Sequence, residues 1–144
     1  MDDIALMREI ARLQNQIDAL RTIESGWNFV PLTTPLTSTS WDGNDTVNVG
    51  TYTIDTSATF SAPVGIKAAA IYMQATWASV NSGYTLAATY TGSSLSAVLV
   101  RSQVANIPMS TSGIVTCDAN GDFDLIAANA NATNVILRIW GYWK

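Results

Sequence analysis

Histidine is missing from the chain, and with it go the commonest general base at neutral pH, the Ser-His-Asp relay and the usual zinc ligand. Glutamate is absent after Glu24, so any later carboxylate pair must be drawn from Asp42, Asp45, Asp55, Asp118, Asp122 and Asp124. Two of these could make a glycosidase only if the fold set them across a cleft at a defined separation. Cys117 is the single cysteine, which excludes an internal disulfide and a thiolate metal cluster within one chain. Charge is scarce as well: 12% of the 144 residues are charged, about half the share of an average soluble protein. With seven Lys and Arg and a net charge of −4 there is no basic patch for phosphates, so nucleic acid is not an expected partner. No apolar run approaches the ~20 residues that cross a bilayer, and the chain opens with Met1-Asp2-Asp3 rather than with a basic region and an apolar stretch. Neither membrane insertion nor a secretion signal is expected. The sequons Asn44-Asp45-Thr46 and Asn131-Ala132-Thr133 matter only in a eukaryotic secretory pathway, to which nothing directs the chain. Together these absences point away from an enzyme and from a bound cofactor.

What is present divides into three segments: an oligomerisation helix at 1–25, an extended Pro/Thr/Ser connector at 26–45 and a β-sandwich at 46–144. Asp2, Asp3, Arg8, Glu9, Arg12, Asp18, Arg21 and Glu24 crowd the first segment, which is otherwise rich in Leu, Ile, Ala and Gln and free of Pro and Gly until Gly26. Asp2 or Asp3 can cap its start and Gly26 can close its end. Leu6, Ile10, Leu13, Ile17 and Leu20 are spaced alternately by four and three, the seam of a coiled coil with isoleucine at a and leucine at d. Asp3 and Glu24 fall at a, so the seam closes within about two and a half heptads. The competing reading is an amphipathic helix folded back on its own domain. Met7 and Ile23, at e and g, favour it by widening the stripe; the narrow seam and the polar Arg12, Gln14, Asn15, Gln16 and Asp18 favour the coiled coil.

Trp27, Phe29, Pro31, Pro35 and a Thr/Ser run lead to Trp41-Asp42-Gly43-Asn44-Asp45, and the prolines predict an extended course. Beyond residue 46, β-branched and aromatic runs alternate with turn residues every 8–12 positions, which predicts seven or eight strands and a sandwich. Val47 and Val49 lie in one phase and Tyr52 and Ile54 in the other, which predicts a bulge at Gly50. Tyr84 to Tyr90 alternates as a half-buried strand. From Ile66 to Trp77 both faces begin apolar, so this strand is expected at a sandwich centre or against a neighbouring subunit, with Trp77 in the core. Further strands are expected at 96–105, 113–118, 123–128 and 134–143, with Asn120-Gly121 as the tight turn of a hairpin.

Two stretches carry candidate ligand chemistry. In Asp118-Ala119-Asn120-Gly121-Asp122-Phe123-Asp124 the oxygen side chains of Asp118, Asn120, Asp122 and Asp124 could surround calcium. The glycine sits fourth rather than sixth and no glutamate follows at the twelfth place, so a plain turn explains the same residues. Five tryptophans and five tyrosines in a charge-poor β domain suit sugar stacking, with Trp41 and Asn44 beside a polar turn as the candidate contacts, against the alternative that the aromatics are core.

The short heptad helix, the Pro/Thr connector and the Thr/Ala/Asn-rich β part together resemble the small fibre, appendage and decoration proteins of tailed bacteriophages. Phe60-Ser61-Ala62-Pro63-Val64-Gly65-Ile66-Lys67-Ala68-Ala69-Ala70, Gly83-Tyr84-Thr85-Leu86 and Ile139-Trp140-Gly141-Tyr142-Trp143 also resemble β-sandwich domains of bacterial surface proteins. The phage resemblance implies a homotrimer on a virion, with a jelly-roll-like head, contacts to other virion proteins and a host-surface glycan as a further partner. Isoleucine at a with leucine at d favours two strands instead, so a dimer stays open. The function classes are therefore a virion structural protein, a receptor- or glycan-binding head, a cellular adhesin and, with no supporting constellation, an enzyme.

Overall fold

A computed structural model describes residues 2–24 and 26–144, the side chains of 21–24 excepted, so the seam-flanking Ile23 and Glu24 lie outside the described side chains. Asp3–Glu24 form one helix, α1. The Ala5 N–H donates to Asp2 Oδ1 at 2.6 Å, which makes Asp2 the N-terminal cap, and Glu9 pairs with Arg12 one turn on.

Among the described residues eight strands follow: β1 Phe29–Leu36, β2 Gly50–Asp55, β3 Ala68–Thr76, β4 Thr85–Tyr90, β5 Ser96–Arg101, β6 Met109–Thr116, β7 Asp122–Ala128 and β8 Thr133–Trp143, with a short helix α2, Thr56–Phe60, after β2. They form two antiparallel four-stranded sheets, the first in the order β1-β8-β3-β6 and the second β2-β7-β4-β5. The pairing is nested: β1 with β8, β2 with β7, β3 with β6 and β4 with β5, successive pairs going to alternate sheets. Because strand side chains alternate between faces, each sheet contributes one apolar face to the space between. Ile71 and Met73 of β3 and Leu137 and Ile139 of β8 meet Leu86 of β4 and Phe123 and Leu125 of β7 in one buried cluster, joined by Trp77 and Phe60.

The proline segment is part of this β unit. Pro31 and Pro35 lack the N–H that a central strand must donate, and β1 accordingly lies at a sheet edge, with a break in register between Pro31 and Leu36. β3 is central in its sheet: Ala69, Ile71, Met73 and Ala75 are buried on the inner face, while Ala70, Tyr72 and Gln74 on the outer face are only half-buried. β4 is buried on both faces from Leu86 to Thr89, more than its alternation predicts. Ala87 lies in register between the larger Leu99 and Ile126, which shield it.

Two local expectations are corrected. The β2 ladder runs unbroken from Gly50 opposite Ala127 to Asp55 opposite Asp122, so there is no bulge at Gly50. The change of phase has another cause: Val47 bridges to Ala132 beside the first sheet, and the chain then crosses to the second. Nor does Asn120-Gly121 close a hairpin, because β6 pairs with β3 and β7 with β2 and β4. The turn is local, with Gly121 N–H donating to Asp118 O at 3.0 Å and the Asp118 carboxylate accepting from the N–H groups of Asn120 and Asp122. It reverses the chain but hands it to the opposite sheet.

Gly121 is required there. Its φ is +88°, and a Cβ would stand 3.1 Å from the backbone nitrogens of Gly65 and Ile66. Gly121→Ala is therefore expected to destabilise the β unit by about 1–3 kcal/mol, read as a lower chemical-denaturation midpoint at unchanged slope.

Candidate functional site

The seam residues of α1 share one stripe, and no described residue of the single chain covers it. Leu6, Ile10, Leu13, Ile17 and Leu20 are between 44% and 61% exposed. A helix docked on its own sheets would bury that stripe; here every described side chain from Asp2 to Leu20 is exposed except the half-buried Glu9. Ile4, Met7 and Ala11 form a second exposed apolar stripe on the first turns, outside the a and d positions. Its signal in the sequence is i, i+3, i+7 spacing, which the heptad assignment passes over.

Trp41 and Asn44 lie within one turn of each other, but their side chains are engaged locally. Trp41 ends a 3-10 turn, Thr39–Trp41, and packs half-buried against the core with its ring edge-on to Tyr52, centroids 6.4 Å apart. Asn44 is exposed, and its amide donates to Asp42 Oδ1 at 3.1 Å.

The acidic stretch is held by its own hydrogen bonds. Backbone N–H groups, that of Asp122 foremost, hold the Asp118 carboxyl below the usual carboxylate range. Asp124 is buried, with Oδ1 accepting from Thr53 Oγ1 at 2.8 Å and Oδ2 from the Gly92 N–H at 2.9 Å. Burial, and after it the charges of Asp118, Asp55 and Asp124, push the Asp122 carboxyl up. Asp55 caps α2 through the Ala58 N–H and the Ser57 hydroxyl, and its carboxyl is held low. Buried Thr56 ties α2 to the turn by donating from Oγ1 to Gly121 O at 2.7 Å. These carboxylates brace loops against sheets. Among the described residues no group of three or more Cys, Asp or Glu side chains is placed to hold a metal ion.

Cys117 is buried beside this turn, and its thiol is pushed up to about 12 by burial and then by the charges of Asp118 and Asp122. It stays protonated at neutral pH and offers no thiolate nucleophile.

No helix among the described residues is long and apolar enough to cross a membrane. A comparison with known proteins finds no matching family model and no matching curated sequence.

Proposed function

We propose that this chain is a non-enzymatic structural subunit of a tailed-bacteriophage virion, a homotrimer whose α1 helices zip together and carry the β unit as a capsid decoration or a small fibre. The observation that carries the reading is the exposed seam: five apolar side chains at heptad spacing stand in water in the single chain. Covering each is worth about 1.5–3 kcal/mol, and a helix of this length is marginal in water unless it is covered. Another chain presenting the same stripe covers it in register.

The nested pairing of the eight strands supports a jelly roll, in which an antiparallel strip rolls up so that first pairs with last and the two sheets share the pairs alternately. That architecture recurs in viral capsid domains. Three copies is the number that the phage resemblance implies; with so few heptads, contacts between β units outweigh the two-strand preference of isoleucine at a and leucine at d.

Gold-labelled antibody raised against the chain is expected to decorate purified particles of the phage that encodes it, at the capsid or tail surface. Particles that carry no label, while the infected-cell lysate does, would remove the virion reading.

A further inference from the structure

We infer that the outer face of the first sheet, at the end where α1 enters the β unit, is the second half of the self-association surface and is covered by another copy of this chain. The inference rests on the proposed pairing of the helices and specifies what the β units do once those helices bring them together.

Register and burial define the face. Ala69, Met73, Val115 and Tyr142 point into the core, so the alternating Ala70, Ile114, Gly141 and Trp143 lie on the outer side. Phe29, opposite Trp143, joins them, with ring centroids 4.5 Å apart. The Phe29 ring also lies over Gly141 so closely that a Cβ there would stand 2.6 Å from it. Trp140 is the extra residue of a bulge in β8, between the pairs Ala70 with Gly141 and Ile71 with Ile139. The core closes the inner side of that strand, so its exposure places it outside. Ile114 is 55%, Phe29 48% and Trp140 43% exposed, an unusual concentration of large apolar groups on a floor of alanine and glycine that permits close approach.

Three features identify the occupant as a second copy. First, the face follows the helix directly in the chain: Trp27, itself 59% exposed, stands three residues beyond Glu24, and Phe29 begins β1. Secondly, the face is graded. It is apolar at the Phe29 end and, apart from the half-buried Ile136 opposite Gln74, turns polar away from it through Tyr72, Arg138, Ser112, Gln74 and Ser110, as expected of β units that meet beside a shared helical axis and splay apart beyond it. Thirdly, no described carboxylate lies at the apolar end of the face, although the β unit carries six aspartates: Asp42 bridges to Ile136 at the far, polar end and the others sit in loops or on the second sheet, so copies can meet at the Phe29 end without opposing carboxylates. A seam of two and a half heptads is too short to hold copies firmly alone, and a second patch on the same chain acts at the high effective concentration that the helices create.

Sedimentation equilibrium of the full chain tests this, with Ile114→Glu/Trp140→Glu beside Ile10→Asp/Ile17→Asp. The sheet-face variant is expected to raise the dissociation constant at least tenfold while the unfolding transition of the β unit is kept. An unchanged constant in that variant, with the helix variant dissociated, overturns this inference and leaves the helix pairing standing; a monomeric wild type removes both. Hydroxyl-radical footprinting of the unmutated protein decides the matter even where the substitutions impair folding. Trp140 and Ile114 are expected to be protected above the dissociation concentration and oxidised below it, and equal oxidation at both overturns the inference.

Discussion

Aspartate in place of both Ile10 and Ile17 is expected to raise the dissociation constant at least a hundredfold, leaving monomers at micromolar concentration. Each isoleucine contributes roughly 1.5–3 kcal/mol when covered, and the substitution adds a charge that the apolar seam would have to desolvate. Two positions per chain multiply the effect. Helical ellipticity is expected to fall together with the mass, because α1 alone has no covered face and a helix of 22 residues is marginal in water. The β unit should keep its unfolding transition, since no described side chain of α1 is part of its core. An unchanged mass in this variant would mean that the stripe is not the contact.

Phe123→Ala carries the largest expected loss of stability. Phe123 is fully buried, sits opposite Ile54 on one side and Tyr90 on the other, and faces the first sheet across the core. Removing a buried phenylalanine leaves a cavity that costs about 3–5 kcal/mol, a large part of the ~5–15 kcal/mol that holds a domain of this size. Chemical denaturation followed by tryptophan fluorescence measures it. A loss below about 1 kcal/mol would contradict the packing of the two sheets on this residue.

The elements that the sequence makes legible are those decided by local chemistry. The cap at Asp2 and the alternation that buries Leu86 and Ala88 can be read directly, as can the extended course after Pro31. Long-range choices are hidden. Asn120-Gly121 states that the chain turns, but the partner strand is chosen by which faces find cover, and β6 and β7 find it in different sheets. The phase change around Gly50 has the same origin: one stretch belongs beside the first sheet and the next to the second, and a shift of one residue looks alike whether it marks a bulge or a crossing.

The candidate site was legible to a similar degree. Heptad spacing located the stripe Leu6, Ile10, Leu13, Ile17 and Leu20 because helical periodicity is a property of the segment alone. The apolar outer face of the first sheet was only foreshadowed, by the two-faced run beginning at Ile66. Phe29, Ile114 and Trp140 come from three strands far apart in the chain, and only the pairing of β1 with β8 and of β8 and β6 with β3 gathers them. Trp41 shows the converse: a polar turn beside a tryptophan suggests a free ring, but Tyr52, from another strand, meets it.

Sedimentation equilibrium of the unmutated chain is the most direct measurement. A mass that is a multiple of the 15.4 kDa chain, three being the expected number, is what an uncovered seam requires. A constant 15.4 kDa from micromolar to hundred-micromolar concentration would contradict it, because the five seam side chains would then be at home in water.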